Sequence, residues 1–138
     1  MSSDLAGTWE LRSFLLEDTA TGERRAVFGQ QPKGLLVLTA EGRLISVVTA
    51  EHLPWPRSDA DRALAYASML AYSGLYRIEG DRFVTEVDVA WDRDWIGTQQ
   101  VRYWRLAGDL LSIETAPQLP SGEERTGRGI VSWRRASR

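Results

Sequence analysis

Arg102 is the residue whose chemistry most needs explaining. It lies in the run Gln100-Val-Arg102-Tyr-Trp104-Arg-Leu106. Alternate residues of a strand share a face, so Arg102 stands with Gln100, Trp104 and Leu106. The run turns at Gly108-Asp109, a hairpin signal, and the partner run puts Leu111, Ile113 and Thr115 on one face. Pairing the apolar faces sets Arg102 among Trp104, Leu106, Leu111 and Ile113. A guanidinium there is costly unless it is paired. The nearest inward polar groups are Gln100, Thr85 and Tyr76, all neutral. An anionic or strongly polarised ligand oxygen is the expected partner, because the planar fork suits a carboxylate or an enolate. A structural partner among Glu10, Glu86 or Glu114 is the alternative.

Other candidates are weaker. His52 is the sole histidine, so a multi-histidine metal site is impossible and no metal is expected. It precedes Leu53-Pro-Trp-Pro56 in a loop expected near a barrel mouth. A solvated loop histidine is the commoner case; a general base or haem ligand is the functional one. Tyr72 and Tyr76 flank an expected helix-to-strand corner, where their phenols could donate to a ligand oxygen. Ordinary aromatic packing is the alternative for both. Glu86 and Asp88 share one strand face, and paired carboxylates can divide acid and base work. The opposite face, with Phe83, Thr85, Val87, Val89 and Trp91, is the apolar one, so both acids are expected in water. Trp91-Asp-Arg-Asp-Trp95 could hold a cation, but such acids beside an arginine are usually salt-bridged surface.

Composition narrows the function classes. The 138 residues suit one domain, residues 1–138, with a real core. A net charge of -2 offers no basic face for nucleic acid. The absence of cysteine removes disulfides, thiolate metal sites and a Cys nucleophile. No stretch resembles a signal peptide or a bilayer-spanning run, so no membrane partner and a cytoplasmic location are expected. Monomer and homodimer both stay open. Lys33 is the only lysine among many arginines, which fits GC-rich coding. Six tryptophans are many for this length. Core filling is the plain reading, though large rings also line apolar cavities. No glycine-rich phosphate loop, nucleophile elbow or cofactor fingerprint is present, so no cofactor is expected.

The elements that must position these residues are mostly strands. Gly7–Leu16 alternates, with Trp9, Leu11, Ser13 and Leu15 on one face and Thr8, Glu10, Arg12 and Phe14 on the other. A turn cluster follows at Asp18–Glu23, and Arg25–Gly29 reads as a short strand or connector. Gly34–Thr39 and Arg43–Thr49 flank Ala40-Glu-Gly42 as a hairpin. Both of its strands are apolar on both faces, which predicts burial on two sides. Pro54 and Pro56 break regular structure. Ser58 or Asp59 can cap a helix predicted over residues 59–73. Ala63, Tyr66, Met69, Leu70 and Ser73 give its spacing, and Gly74 ends it. Leu75–Ile78 and Phe83–Ala90 form a third hairpin, and the Arg102 hairpin follows. Pro117–Arg125 reads as a polar loop, and Gly127–Arg134 as the last strand. Hairpins in sequence with one helix predict a mainly β fold: an antiparallel up-and-down barrel of about eight to ten strands, with the helix covering a mouth.

Several stretches together carry a resemblance. They are Gly7-Thr-Trp9, Phe28-Gly29 ahead of Pro32-Lys-Gly-Leu-Leu36, the Gly42 hairpin, Ala71-Tyr-Ser-Gly-Leu-Tyr76 and Trp95-Ile-Gly-Thr-Gln-Gln-Val-Arg102. In this order the chain resembles the bacterial lipocalin-like domain family, small stand-alone barrels of the calycin type. The resemblance implies a closed barrel with an internal cavity and no particular reaction; some members occur with secondary-metabolite pathways. Members often carry a histidine in the strand that here runs Phe83–Ala90. Thr85 stands in its place, so no imidazole role carries over.

The leading functional expectation is a barrel that binds a small hydrophobic, oxygen-bearing metabolite. The expected lining is Trp9, Leu11, Leu44, Ser46, Tyr66, Met69, Tyr76, Phe83, Thr85, Arg102, Trp104 and Ile113. The rival is a cofactor-free cyclase, isomerase or dehydratase of polyketide- or terpenoid-type metabolism. It would use the same cavity, with Arg102, Tyr72, Tyr76 and His52 as its polar groups. A purely structural or interaction module is the third reading. The lack of an exposed apolar helix face argues against it.

Overall fold

The computed structural model describes residues 4–117 and 126–137. The described elements are β1 (Gly7–Asp18), β2 (Arg24–Arg25), β3 (Lys33–Leu38), β4 (Arg43–Thr49), α1 (Asp59–Ala67), β5 (Met69–Glu79), β6 (Arg82–Ala90), a 3-10 turn (Arg93–Trp95), β7 (Gln99–Ala107), β8 (Leu110–Thr115) and β9 (Gly127–Ser137). β1 and β3 to β9 pair in sequence, all antiparallel, and β9 returns to pair with β1. That closure makes an eight-stranded barrel. β2 lies outside the ring, paired only with the end of β1. The expected mainly β, antiparallel barrel with one helix is therefore the fold. The loop predicted over Pro117–Arg125 lies, beyond Pro117, outside the described residues. No helix among the described residues is long and apolar enough to cross a membrane.

The helix is shorter than its spacing predicts. Ser58 caps it by accepting a hydrogen bond from the Asp61 amide at 3.1 Å, and it stops at Ala67. Met69 to Ser73 instead pair residue by residue with Thr49 to Ile45. Leu70, Tyr72 and Gly74 also alternate, so the segment fits both periods. The ladder with β4 and the burial of Tyr72 decide for strand. Gly74 does not end a helix. It lies within β5, where an added Cβ would stand 2.0 Å from the Glu86 carbonyl oxygen. Only glycine permits that approach. The helix buries no residue, and Leu64 and Tyr66 are more than half exposed or close to it. The apolar helix face expected to be hidden is thus partly open.

Two bulges reset the face assignments. Between β1 and β9 the register passes from Leu11↔Trp133 to Ser13↔Ser132, leaving Arg12 extra. Trp9 points inward before the bulge; after it Phe14 and Leu16, not Ser13 and Leu15, reach the interior. Between β5 and β6 the register passes from Ser73↔Val89 to Gly74↔Val87. Val89, expected inside, is 63% exposed as a result, and Ala90 packs on the core. Glu86 and Asp88 are on the surface as expected, paired with Arg77 and Arg43. The β3–β4 hairpin is buried on one side only. Leu35, Ile45 and Val47 point out and stay 40 to 50% exposed. Their apolar character serves strand propensity rather than a second packed layer.

Candidate functional site

The barrel holds a cavity of about 760 Å³, within the range of small-molecule sites. One end is filled. Leu5, Trp9, Leu38 and Leu111 are essentially fully buried there. The Trp9 indole donates to the Leu5 carbonyl at 3.0 Å, and the Arg135 guanidinium lies 4.1 Å from its ring. At the other end the wall includes Arg25 of β2, Val27 and Phe28 from the β2–β3 connector and Ala67 from the end of the helix. Trp91 and Asp92, just before the 3-10 turn, and Asp94 and Trp95 within it complete that end. Asp92 caps this turn by accepting from the Asp94 amide at 2.9 Å. Aromatic rings pack around it in tilted contacts: Tyr72 against Trp95 and Trp95 against Trp91, each at 5.1 Å between centroids.

Arg102 sits on the wall of this cavity and is only 8% exposed. Its direct cross-strand neighbours are Phe83 on β6 and Thr115 on β8, not Leu111 and Ile113 as the hairpin alone suggested. It donates to the Val101 carbonyl at 3.0 Å and to Gln100 Oε1 at 3.3 Å. Gln100 in turn donates to Thr98 Oγ1 at 2.9 Å. The Tyr72 ring lies 5.9 Å from the guanidinium carbon. Every one of these partners is neutral. The three suspected carboxylates are elsewhere: Glu10 is exposed, Glu86 meets Arg77, and Glu114 faces Arg128. Among the described residues no carboxylate pairs with Arg102.

The remaining predicted site residues divide. Leu44, Ser46, Met69, Phe83, Ile113 and Tyr72 are on the cavity wall with Arg102. Trp9, Leu11, Thr85, Trp104 and Tyr76 are not on that wall; they pack in or beside the core. The Tyr76 hydroxyl donates to the Thr39 carbonyl at 2.8 Å, and burial, with Glu41 adding, pushes this phenol up. It is held as a structural group. Tyr66 stands outside the wall, its hydroxyl on the Trp91 carbonyl at 3.2 Å. His52 is 88% exposed in its side chain, beside Glu51, and away from the cavity. Thr85 is fully buried with its hydroxyl unpartnered. Among the described residues the indole N–H groups of Trp91 and Trp133, both wall residues, have no hydrogen-bond partner either. Tyr72 makes ring contacts but no hydrogen bond to described residues.

Sequence reasoning missed Phe14 and Leu16, which the bulge turned inward, and Phe28 and Trp95, which stand on connections; Trp91, expected on an inward face, is on the wall. It also left the faces of the last strand unassigned, where Gly129, Val131 and Trp133 line the wall. The Trp-rich turn before β7 was the available signal. No group of three or more His, Cys, Asp or Glu among the described residues could hold a metal ion.

This barrel has known relatives. The 4'-hydroxy-3'-methoxypropiophenone carrier protein of Aspergillus oryzae (strain ATCC 42149 / RIB 40) is 32% identical over 90 residues, 59% of this chain and 79% of the relative. The Lipocalin-like domain model matches residues 6–136, nearly the whole closed barrel, and the chain belongs to that family.

Proposed function

We propose that the protein binds a small hydrophobic, oxygen-bearing metabolite inside the barrel. Arg102 and Gln100 hold an oxygen of the ligand. Tyr72, Trp95, Phe28 and Met69 hold its apolar body. The observation that carries this reading is a buried guanidinium that opens on a cavity and, among the described residues, hydrogen-bonds only neutral groups. Such a group gains most from an acceptor that arrives with a ligand. The carrier relative supports binding without chemistry, since the molecule in its name is an aryl ketone with hydroxyl and methoxy oxygens.

The same wall also favours a second reading, a cofactor-free cyclase, isomerase or dehydratase. The Tyr72 hydroxyl, without a hydrogen-bond partner among the described residues, belongs to a wall residue beside Arg102 and could pass a proton while Arg102 steadies a developing enolate. Native mass spectrometry of the protein purified from its own host separates the readings. A retained small molecule recovered unchanged after incubation supports the binder, and its conversion supports the enzyme. Absence of any retained molecule, with no binding of apolar probes at high micromolar concentration, would sink both.

A further inference from the structure

The neutral surroundings of Arg102 also bear on the charge of the ligand. The residue is more than nine-tenths buried. Both strand neighbours across the sheet, Phe83 and Thr115, are neutral, and its two hydrogen bonds go to a carbonyl and an amide. Those two acceptors occupy only part of a guanidinium's donor set. A neutral ligand oxygen would add one more dipole and leave the charge as it is. A ligand anion would supply the counter-charge as well as the acceptor.

We propose that the cavity selects an anion: a carboxylate, enolate or acidic phenolate on an aromatic or otherwise apolar body, with its charge seated at Arg102. This rests on the binding reading above and adds the ligand's charge to it. Of the other charges on the wall, Arg25 has a partner of its own, and the acids Asp92 and Asp94 set the orientation. Asp92 and Asp94 stand on the 3-10 turn at the open end, among the rings of Trp91 and Trp95. They oppose an anion resting at the entrance, while Arg102 attracts it farther in. The apolar end of the ligand is thereby left against the tryptophans. A weak acid held this way is bound as its conjugate base, because a nearby cation favours the ionised form.

The test uses a matched pair of fluorescent probes, 8-anilinonaphthalene-1-sulfonate and N-phenyl-1-naphthylamine. They share one apolar body and differ by the anionic group. In the native chain the sulfonate is expected to bind at least tenfold more tightly than the neutral amine. Arg102→Met should abolish that preference, keep the neutral probe, and leave the melting temperature unchanged or raised; Arg102→Lys should keep the preference. Equal affinities in the native chain, or a preference that survives Arg102→Met, would overturn the proposal. Binding of neither probe would instead count against the binding reading itself. If Arg102→Met does not fold, Arg102→Gln is read in the same way. Failure of every neutral variant to fold would make Arg102 a structural cation and also overturn the proposal.

Discussion

Glu17 and Arg102 are both nearly buried charges, each 8% exposed, and the barrel treats them in opposite ways. Glu17 lies on β1 with Arg24 directly opposite on β2 and Arg128 directly opposite on β9. Both arginines donate to its carboxylate. Those hydrogen bonds, Arg128 first and Arg24 next, hold its carboxyl below the usual carboxylate range against the opposing effect of burial. Arg102 has Phe83 and Thr115 in the equivalent cross-strand places. Strand register can thus deliver counter-charges on both sides of a buried ion. It does so where three strands join at the end of β1, and not on the cavity wall. The difference marks one ion as part of the closure and the other as part of the site.

The largest expected effect comes from giving Arg102 what Glu17 has. Gln100→Glu places a carboxylate where Gln100 Oε1 already accepts from Arg102. Affinity for an anionic probe should fall by roughly a hundredfold, since the cation is neutralised and a like charge is added. Isothermal titration would read this, and unchanged affinity would mean that Arg102 does not face the ligand. The melting temperature should rise or stay level, as the buried ion gains a partner.

Removing the partner from the other pair is the next effect. Glu17→Gln should lower the melting temperature by several degrees at neutral pH, measured by calorimetry, with probe binding intact. The sign with pH follows from its lowered folded-state pKa. The stabilisation is complete above the unfolded value of 4.5 and is lost as pH falls through the lower folded value. The native chain and Glu17→Gln should therefore converge in stability on acidification. A constant gap between them down to the most acidic pH would show that the ion pair is not the source. The smallest effect is that of His52→Ala, which should change neither melting nor probe affinity, because the imidazole is exposed and off the wall. A loss of probe affinity in that variant would bring the loop back into the site.

Much of this was legible in the chain. Alternation with a Gly-Asp turn fixes the β7–β8 hairpin, and the observed pairing Trp104↔Ile113 and Leu106↔Leu111 is the one that joins the apolar faces. It also fixes that Arg102, Gln100 and Thr115 share the inner side, because the side-chain period of a strand is two. The same logic failed wherever one residue was inserted. Arg12 and Asp88 each stand at a bulge, and each reverses every later assignment on its strand: Phe14 and Leu16 turn in, Val89 turns out. Nothing local in the run Leu11-Arg-Ser-Phe14 demands a bulge; the fit of β1 to β9 across the closed ring does.

The extent of the helix was undecidable for a related reason. Met69–Ser73 satisfies the helical and the strand period alike, and only the partner strand β4 chooses between them. The sequence by itself determined the hairpins, the turns, the inward side of Arg102 and, through the ordered family stretches, the barrel. Tertiary structure alone decided whether the two buried charges, Glu17 and Arg102, meet a counter-charge. Cross-strand neighbours come from segments far apart in the chain, as Glu17 and Arg128 do, so whether a buried ion has a partner depends on register around the whole ring.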